Sequence, residues 1–530
     1  MKYVVITGGV ISGLGKGVTA SSLGFLLKNL GYDVTMIKID PYINVDAGTM
    51  SPYEHGEVYV LNDGSETDLD LGNYERFLGI TLTEKHNITT GKVYKSVIDD
   101  ERAGKYLGKT VQIIPHITDK IYSCIKNAAH TPSDPTRTTQ PDICIIEVGG
   151  TVGDFESMAF IEAIRQMKLK EEHMCFVHVS LVPIINGEQK TKPTQTGVKA
   201  LRELGIFPNL MVLRMEKELE MEARKKISNY CQVPEGNIVV NKTVESIYHV
   251  PGMLRDQGVE AIITKTLGLI HVAVPMPEII GNYISNCSSE RILRIGIVGK
   301  YTKFTDAYLS ITSAIRHAGC FKNVKVLPVW ICSDNLVDLH LCHGFIIPGG
   351  FGSRGIEGMI TLARHCRDHN IPLLGICLGM HVMCIEAGRR TLGENCHSEE
   401  FEPEIEHKVI KYIDKRETKM GGTMKLGTHT TILNDTMSKA WQIYGEHEVK
   451  ERHRHRYEVN PEYYEALSKT LTLSGVSKTD SCVDIVEETR LMFYVGVQYH
   501  PEFNSTMVRP SKIFMNFVDS CIKKVGLYEA

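Results

Sequence analysis

The chain reads as an α/β protein of two domains, each a mainly parallel sheet flanked by helices. Three observations predict this. Its 530 residues are too many for one hydrophobic core. It opens on a short apolar run, residues 3–6 (YVVI), then a glycine-rich turn and a helix-like run, the start of a strand–loop–helix unit. After a proline-rich and then polar stretch, residues 274–289, the same alternation starts again. The expected division is therefore residues 1–270, a linker at 271–291, and residues 292–530.

The bulk figures narrow the class. Hydrophobic residues make up 42% and charged residues 23%, ordinary for a globular protein. A net charge of −4 gives no sign of a nucleic-acid partner. The first apolar run is only four residues long, so no signal peptide is expected, and no run of about 18 apolar residues suggests a membrane span. The 14 cysteines are scattered, with no Cys-x-x-Cys pair. Reduced thiols and a cytoplasmic location are the expectation.

The turn at residues 7–18 (TGGVISGLGKGV) is the first centre of chemistry. Its glycines let backbone N–H groups approach phosphate oxygens, and Lys16 adds a full positive charge to a helix start. A glycine-rich turn can also be a plain turn or a dinucleotide loop; the lysine inside it favours phosphate. Gly17 stands where a Ser or Thr would bind magnesium, so magnesium ligands must lie elsewhere. Lys38 ends the second strand, residues 34–39. Beyond it, Glu66, Asp68 and Asp70 alternate, so they would share one face of an extended segment. Singly each reads as a solvated loop carboxylate; after a phosphate loop they are candidate metal ligands. Glu147 ends an otherwise apolar strand, residues 142–148, and is the other candidate. Lys190, Thr191, Lys192, Pro193, Thr194 and Gln195 form a basic, hydroxyl-rich loop suited to phosphates, though such loops are often merely solvated.

The second half has its own centre. Residues 373–380 (LLGICLGM) carry Cys377 between Gly375 and Gly379, a strand running into a sharp turn. Flanking glycines permit the strained backbone of a nucleophile elbow, and a following helix start favours a thiolate. A lone cysteine in an apolar run is more often a core residue. Residues 493–502 (FYVGVQYHPE) deliver His500, with Glu502 placed to orient the ring. Cys377, His500 and Glu502 make an acyl-transfer triad by role. Residues 451–457 (ERHRHRY) form a basic cluster, too short for a nucleic-acid patch.

The blocks at 40–46, 51–60, 66–77, 106–118, 147–156 and 190–195 resemble the CTP synthase family, and the second half resembles class I glutamine amidotransferases. The resemblance implies a dethiobiotin-synthetase-like P-loop domain followed by an amidotransferase domain. The activity it implies is ATP-dependent amination of UTP to CTP, through 4-phosphorylated UTP, with ammonia taken from glutamine. By similarity, ATP would sit on Gly13, Leu14, Gly15, Lys16, Gly17 and Val18, with Lys38, Asp70, Lys242, Thr243 and Val244. Mg2+ would be held by Asp70 and Glu147. UTP, or the inhibitory product CTP, would take Ser12, Asp154, Phe155, Glu156, Lys190–Gln195 and Lys226. Glutamine would meet Gly350, Leu378, Gly379, Met380, His381, Glu400 and Arg456. The family has Gln where this chain has His381, so the amide's donor and acceptor are replaced by an imidazole. Pro52, His55 and Val58 match the gate of an ammonia tunnel. GTP is the implied activator at a lid, residues 351–358, and a homotetramer, with filaments as a further assembly, is the implied state. Three rivals share parts of the pattern. A cobyrinic-acid amidating synthetase would lack the 190–195 block, a partitioning-type switch would not need an intact triad, and a short-chain dehydrogenase would need glycine at Ser12.

Overall fold

The computed structural model describes residues 1–134, 136–413 and 424–527. They form two compact units: Met1–Ala47 with Asp70–Cys287, and Gly48–Leu69 with Ser288–Ala530.

The first unit is built on strands β1 (Lys2–Gly8), β2 (Val34–Asp40), β3 (Asn87–Thr89), β4 (Ile143–Val148), β5 (Met174–Leu181), β6 (Leu210–Met215) and β7 (Ile238–Lys242). They lie in the order β7-β6-β5-β1-β4-β2-β3, and every pairing is parallel. Strands β2 and β4 are buried at every residue. Covered on both faces, such strands show no in–out alternation: β4 (ICIIEV) is apolar but for Glu147, and β2 (VTMIKID) buries Thr35, Lys38 and Asp40 among its apolar residues. Each buried aliphatic side chain there contributes about 1.5–3 kcal/mol, enough for the two strands to carry Lys38 and Glu147 in the same buried rows. Those two residues are register partners across β2 and β4, and Ile6 of β1 pairs with Glu147 on the other side.

The helix after β1 spans Lys16–Asn29, so Lys16 and Gly17 stand in its first turn. Gly15, at φ 85°, caps it in a left-handed conformation that glycine adopts without a Cβ penalty. The proline-rich stretch runs along this unit. Asn29 Nδ2 donates to Pro275 O at 3.2 Å, and Arg255 donates to Val274 O. The helix Glu278–Cys287 follows and places Tyr283 against Tyr248, ring centroids 4.5 Å apart.

The second unit is a nine-stranded sheet. Its strands are β8 (Ile292–Gly299), β9 (Lys325–Cys332), β10 (Gly344–Ile347), β11 (Leu373–Ile376), β12 (Lys425–Leu433), β13 (Glu448–His455), β14 (Thr472–Ser477), β15 (Val483–Glu487) and β16 (Tyr494–Val497). The order is β9-β8-β10-β11-β16-β15-β14-β12-β13. The first five strands in that order pair in parallel and the rest antiparallel, which makes this sheet mixed.

Segment Gly48–Leu69 belongs to this second unit. It holds a short helix, Pro52–His55, capped by the Ser51 hydroxyl, and a small hairpin pairing Tyr59–Val60 with Glu66–Thr67. Buried Arg452 clamps it: Nη1 donates to Tyr59 Oη and Val60 O, each at 2.9 Å, and Nε to Asn62 Oδ1 at 2.6 Å. The Glu66 carboxylate accepts from Arg454 Nε at 2.7 Å, and Glu57 accepts the Ser310 amide at 3.1 Å. Replacing Arg452 leaves buried acceptors without a donor, a loss of about 1–3 kcal/mol each. Arg452→Ala is therefore expected to open new protease cleavage within residues 61–65. An unchanged digestion pattern would show that the hairpin holds without the clamp.

Candidate active sites

In the first unit the strand ends and the glycine-rich turn converge. Val10 (φ 68°), Gly13 (φ 72°) and Gly15 (φ 85°) give the turn its left-handed positions. Ser12 and Gly13 are exposed, Leu14 is buried, and Val18 is half-buried. Lys16 crosses Gly8, where a Cβ would lie 2.7 Å from Lys16 Cδ, and its Nζ donates to Gly150 O at 2.9 Å. Burial lowers its pKa, with the Glu147 charge opposing.

Around Gly17 the carboxylates meet. A Cβ at Gly17 would collide with Asp70 Oδ1 and lie 3.5 Å from Glu147 Oε2. The missing hydroxyl of the loop is thus also the space that Asp70 fills. Lys38 Nζ bonds Asp70 and lies 3.5 Å from Asp40 and 3.7 Å from Glu147. Burial pushes the Glu147 carboxyl up to about 7, and the nearby Asp70 charge adds to it, while Lys38 and Lys16 oppose. The Tyr74 hydroxyl donates to Glu147 Oε2. Two converging carboxylates suit magnesium, which takes few oxygen ligands from protein and keeps the rest for water and phosphate.

The alternating carboxylates of 66–70 do not share one extended face. The strand Glu66–Thr67 ends before a helix, Leu69–Leu78, begins. Glu66 goes to Arg454, and Asp70 meets Glu147 at Gly17. Tyr74 escaped the sequence reading, although its spacing of four from Asp70 on a helix was the available signal.

Within 190–195 only Lys190 and Thr191 stay in the loop; residues 192–195 open the helix Lys192–Glu203, whose first turn suits Pro193. Thr194 Oγ1 donates to Leu181 O and Gln195 Nε2 to Thr191 Oγ1, each at 3.0 Å. Lys190 pairs with Glu188 at 2.5 Å. Lys192 and Lys226 are exposed, as are Asp154, Phe155 and Glu156, with Phe155 92% accessible. Lys242 ends β7 and pairs with Glu218; Thr243 is exposed and Val244 half-buried.

In the second unit β11 delivers Cys377 at φ 52°, ψ −100°, a strained conformation for a residue with a side chain. Gly375 and Gly379 are glycines because of close approach. A Cβ on Gly375 would lie 2.5 Å from Met383 Sδ, and one on Gly379 would strike Ile347 O. Leu378 opens the following helix, Leu378–Leu392, so its N–H points out of a helix start beside Gly350. Met380 is fully buried.

His500 lies beside Cys377, both within reach of Gly349. Its Nδ1 is 2.8 Å from Glu502 Oε1, and its buried Nε2, on the Cys377 side, has no hydrogen bond of normal length among the described residues. Burial opposes a charge on the ring, but the Glu502 carboxylate and the Cys377 sulfur outweigh it and raise the pKa to about 10. Such a ring favours its charged form beside the Cys377 sulfur, the pairing that a nucleophilic cysteine needs. Glu400 accepts the Gly352 amide at 3.0 Å, and Arg456 Nε is buried with no hydrogen-bond partner among the described residues. His381 is buried with its Nε2 on Gln498 Oε1 at 2.8 Å. Pro52 and Val58 line a cavity of about 80 Å³ with Cys377, His500, Gly349 and Tyr308, room for two or three water-sized molecules. His55 is exposed and outside that lining.

The basic cluster at 451–457 is resolved by strand alternation. Arg452 and Arg454 hold segment 48–69, while His453 and His455 turn inward and pair, Nδ1 to Nε2, at 3.0 Å. Sequence reasoning also missed Lys300, a buried lysine that donates to the carbonyls of Phe351 and Gly352. It missed Gln498, whose Nε2 lies 3.8 Å from Cys377 Sγ. Arg354 of the expected lid bonds Tyr53 and Lys300 O.

A glycine-rich loop on a parallel sheet, joined on one chain to a cysteine–histidine–glutamate elbow, fits a synthetase of the glutamine amidotransferase class. The models of known families agree: CTP synthase N-terminus matches residues 2–269 and glutamine amidotransferase class-I matches residues 303–520. The chain is 47% identical over 536 residues to CTP synthase of Natronomonas pharaonis, covering 98% of this chain and 95% of that one. It is 47% identical over 545 residues to CTP synthase of Methanococcus maripaludis, with 99% and 100% covered. For CTP synthase of Drosophila melanogaster the identity is 45% over 556 residues, with 100% and 88% covered. The chain belongs to the CTP synthase family. Among the described residues no helix is long and apolar enough to cross a membrane.

The Glu502 carboxylate favours the charged ring, so removing its charge lowers the His500 pKa and the imidazolium is lost at lower pH. Glu502→Gln is expected to move the alkaline limb of the glutamine-hydrolysis pH profile down by at least about one unit. A limb that stays in place would assign the high pKa to another cause.

Proposed function

We propose that this chain aminates UTP to CTP with ATP, taking ammonia from glutamine. The reading rests on family membership. On the chain itself, the observation that carries it is the meeting of Asp70 and Glu147 over Gly17. That arrangement departs from a standard phosphate loop and leaves two oxygen donors where a nucleotide's phosphates would lie.

Cys377 attacks the carboxamide carbon of glutamine, and the oxyanion forms beside the N–H groups near Gly350 and Leu378. The His500 imidazolium gives its proton to the departing ammonia; the ring then draws a proton from water, which hydrolyses the thioester. Arg456, whose buried Nε has no partner among the described residues, is suited to the glutamine carboxylate, and Glu400 to the ammonium group. In the other half-reaction ATP phosphorylates O4 of UTP, and ammonia then displaces phosphate at C4. Lys16 and Lys38 hold the phosphates through the transfer. Magnesium held by Asp70 and Glu147 would supply neutralising charge there.

Further parts of the reading rest on resemblance. Exposed Phe155, Lys192 and Lys226 suit a UTP site completed by another copy, hence a homotetramer with filaments as a further assembly. Lys242, Thr243 and Val244 stand at a strand end suited to the adenine side. GTP would activate at residues 351–358, CTP would inhibit at the UTP site, and the compartment would be the cytoplasm. Pro52, His55 and Val58 would gate the ammonia path.

Cys377→Ala is expected to lose glutamine-dependent CTP formation by roughly 10⁴-fold, while added ammonia restores it. Loss of both would sink the idea of two separable sites. Gly17→Ala keeps the fold but turns the Asp70 carboxylate away, so synthesis from either nitrogen source should fall by about 10²-fold or more. Wild-type rates from Gly17→Ala would show that Asp70 is not a ligand at that spot.

A further inference from the structure

The backbone puts Gln498 beside the nucleophile. Ile376 of β11 pairs with Val497 of β16, and the Cys377 amide donates to Val497 O at 2.7 Å. The next residue on each strand is then Cys377 on one and Gln498 on the other. The Gln498 side chain is 1% exposed, and its Nε2 lies 3.8 Å from Cys377 Sγ. A carboxamide can present either end to a neighbour, and the two ends have opposite polarity. The N–H end supports a sulfur carrying negative charge; the oxygen end repels it. Something must select the end.

We propose that Gln498 donates a hydrogen bond to the Cys377 sulfur during acyl transfer, and that His381 is the positioning residue that keeps its amide in the donating orientation. His381 stands one turn after the elbow, its amide bonded to Cys377 O at 3.1 Å. Its Nε2 is 2.8 Å from Gln498 Oε1. A carbonyl oxygen only accepts, so in this arrangement the one proton of the neutral ring sits on Nε2 and is given to Gln498 rather than to the Tyr457 backbone that the ring also faces. That bond holds the oxygen away from Cys377 and turns the N–H toward it. The glutamine that the family carries at this place can make the same bond through its own amide N–H.

The ring needs no charge to do this. Burial holds the His381 pKa down at about 4, so the group works as a neutral donor. The titratable groups facing it are His455 and the Cys377–His500 pair. Beyond His455 stand His453, Lys425 and His429. Burial keeps His453 and His455 far below the usual histidine range. Lys425 pairs with Asp480 at 2.9 Å, and Glu502 bonds His500.

This inference rests on the glutaminase reading above. The experiment measures glutamate released from glutamine by the full chain, with kcat and KM separated, plus the rate of Cys377 alkylation by iodoacetamide at one fixed pH. Gln498→Leu is expected to lower kcat and the alkylation rate by about tenfold, with KM within about twofold. His381→Leu should lower both about threefold or more, and His381→Gln should restore them. The double variant should be no worse than Gln498→Leu, since His381 acts only through Gln498. A raised KM with kcat intact in His381→Leu would overturn the proposal in favour of direct glutamine contact, and so would additive losses. Should His381→Leu fail to fold, Gln498→Glu decides. It puts a carboxylate oxygen on the sulfur and should lower alkylation more than Gln498→Leu; equal rates overturn the proposal. A wild-type chain that releases no glutamate would refute the glutaminase reading instead, and the alkylation rates would still report on the relay.

Discussion

Parallel pairing carries the ends of neighbouring strands to one edge of a sheet, so groups placed at those ends meet without any loop having to reach. Both sites depend on this. Lys38 and Glu147 are register partners on β2 and β4, with the glycine-rich turn leaving β1 beside them. Cys377 and Gln498 leave β11 and β16 at the same level, and His500 follows two residues on. In each unit neighbouring strand ends bring chemically different side chains together.

The second constraint is space. Gly17 leaves room for a carboxylate, and Gly375 and Gly379 let strand and helix close around the elbow. The strained backbone of Cys377 costs on the order of 1–3 kcal/mol, which that packing holds in place. Burial then does the electrostatic work. It raises the Glu147 carboxyl and opposes charge on His500, where the adjacent Glu502 reverses the outcome.

A third feature is the reach of the second unit over residues 48–69. Arg452 and Arg454, alternate residues of one strand, hold that segment through Tyr59, Val60, Asn62 and Glu66. The inward face of the same strand carries paired, uncharged histidines. A cluster that reads in sequence as one basic patch is two different surfaces.

What the sequence alone determined was local. The turn around Lys16, the elbow around Cys377 and the order His500-Pro501-Glu502 need only glycine spacing, a strand before them and a helix or turn after, and those signals lie within about ten residues. The largely apolar runs of β2 and β4 announced a buried parallel sheet because such strands are covered on both faces. Choosing partners was beyond it. Glu66, Asp68 and Asp70 are the same kind of residue at the same spacing, and only the strand-to-helix change after Thr67 sends Glu66 to Arg454 and Asp70 to Glu147. Likewise, His381 read as a substitution in a glutamine pocket; its bond to Gln498, 117 residues away, exists only because two parallel strands end together. Spacing along a chain determines backbone shape, whereas a side chain's partner is set by which distant element packs against it, and only the tertiary structure decides that.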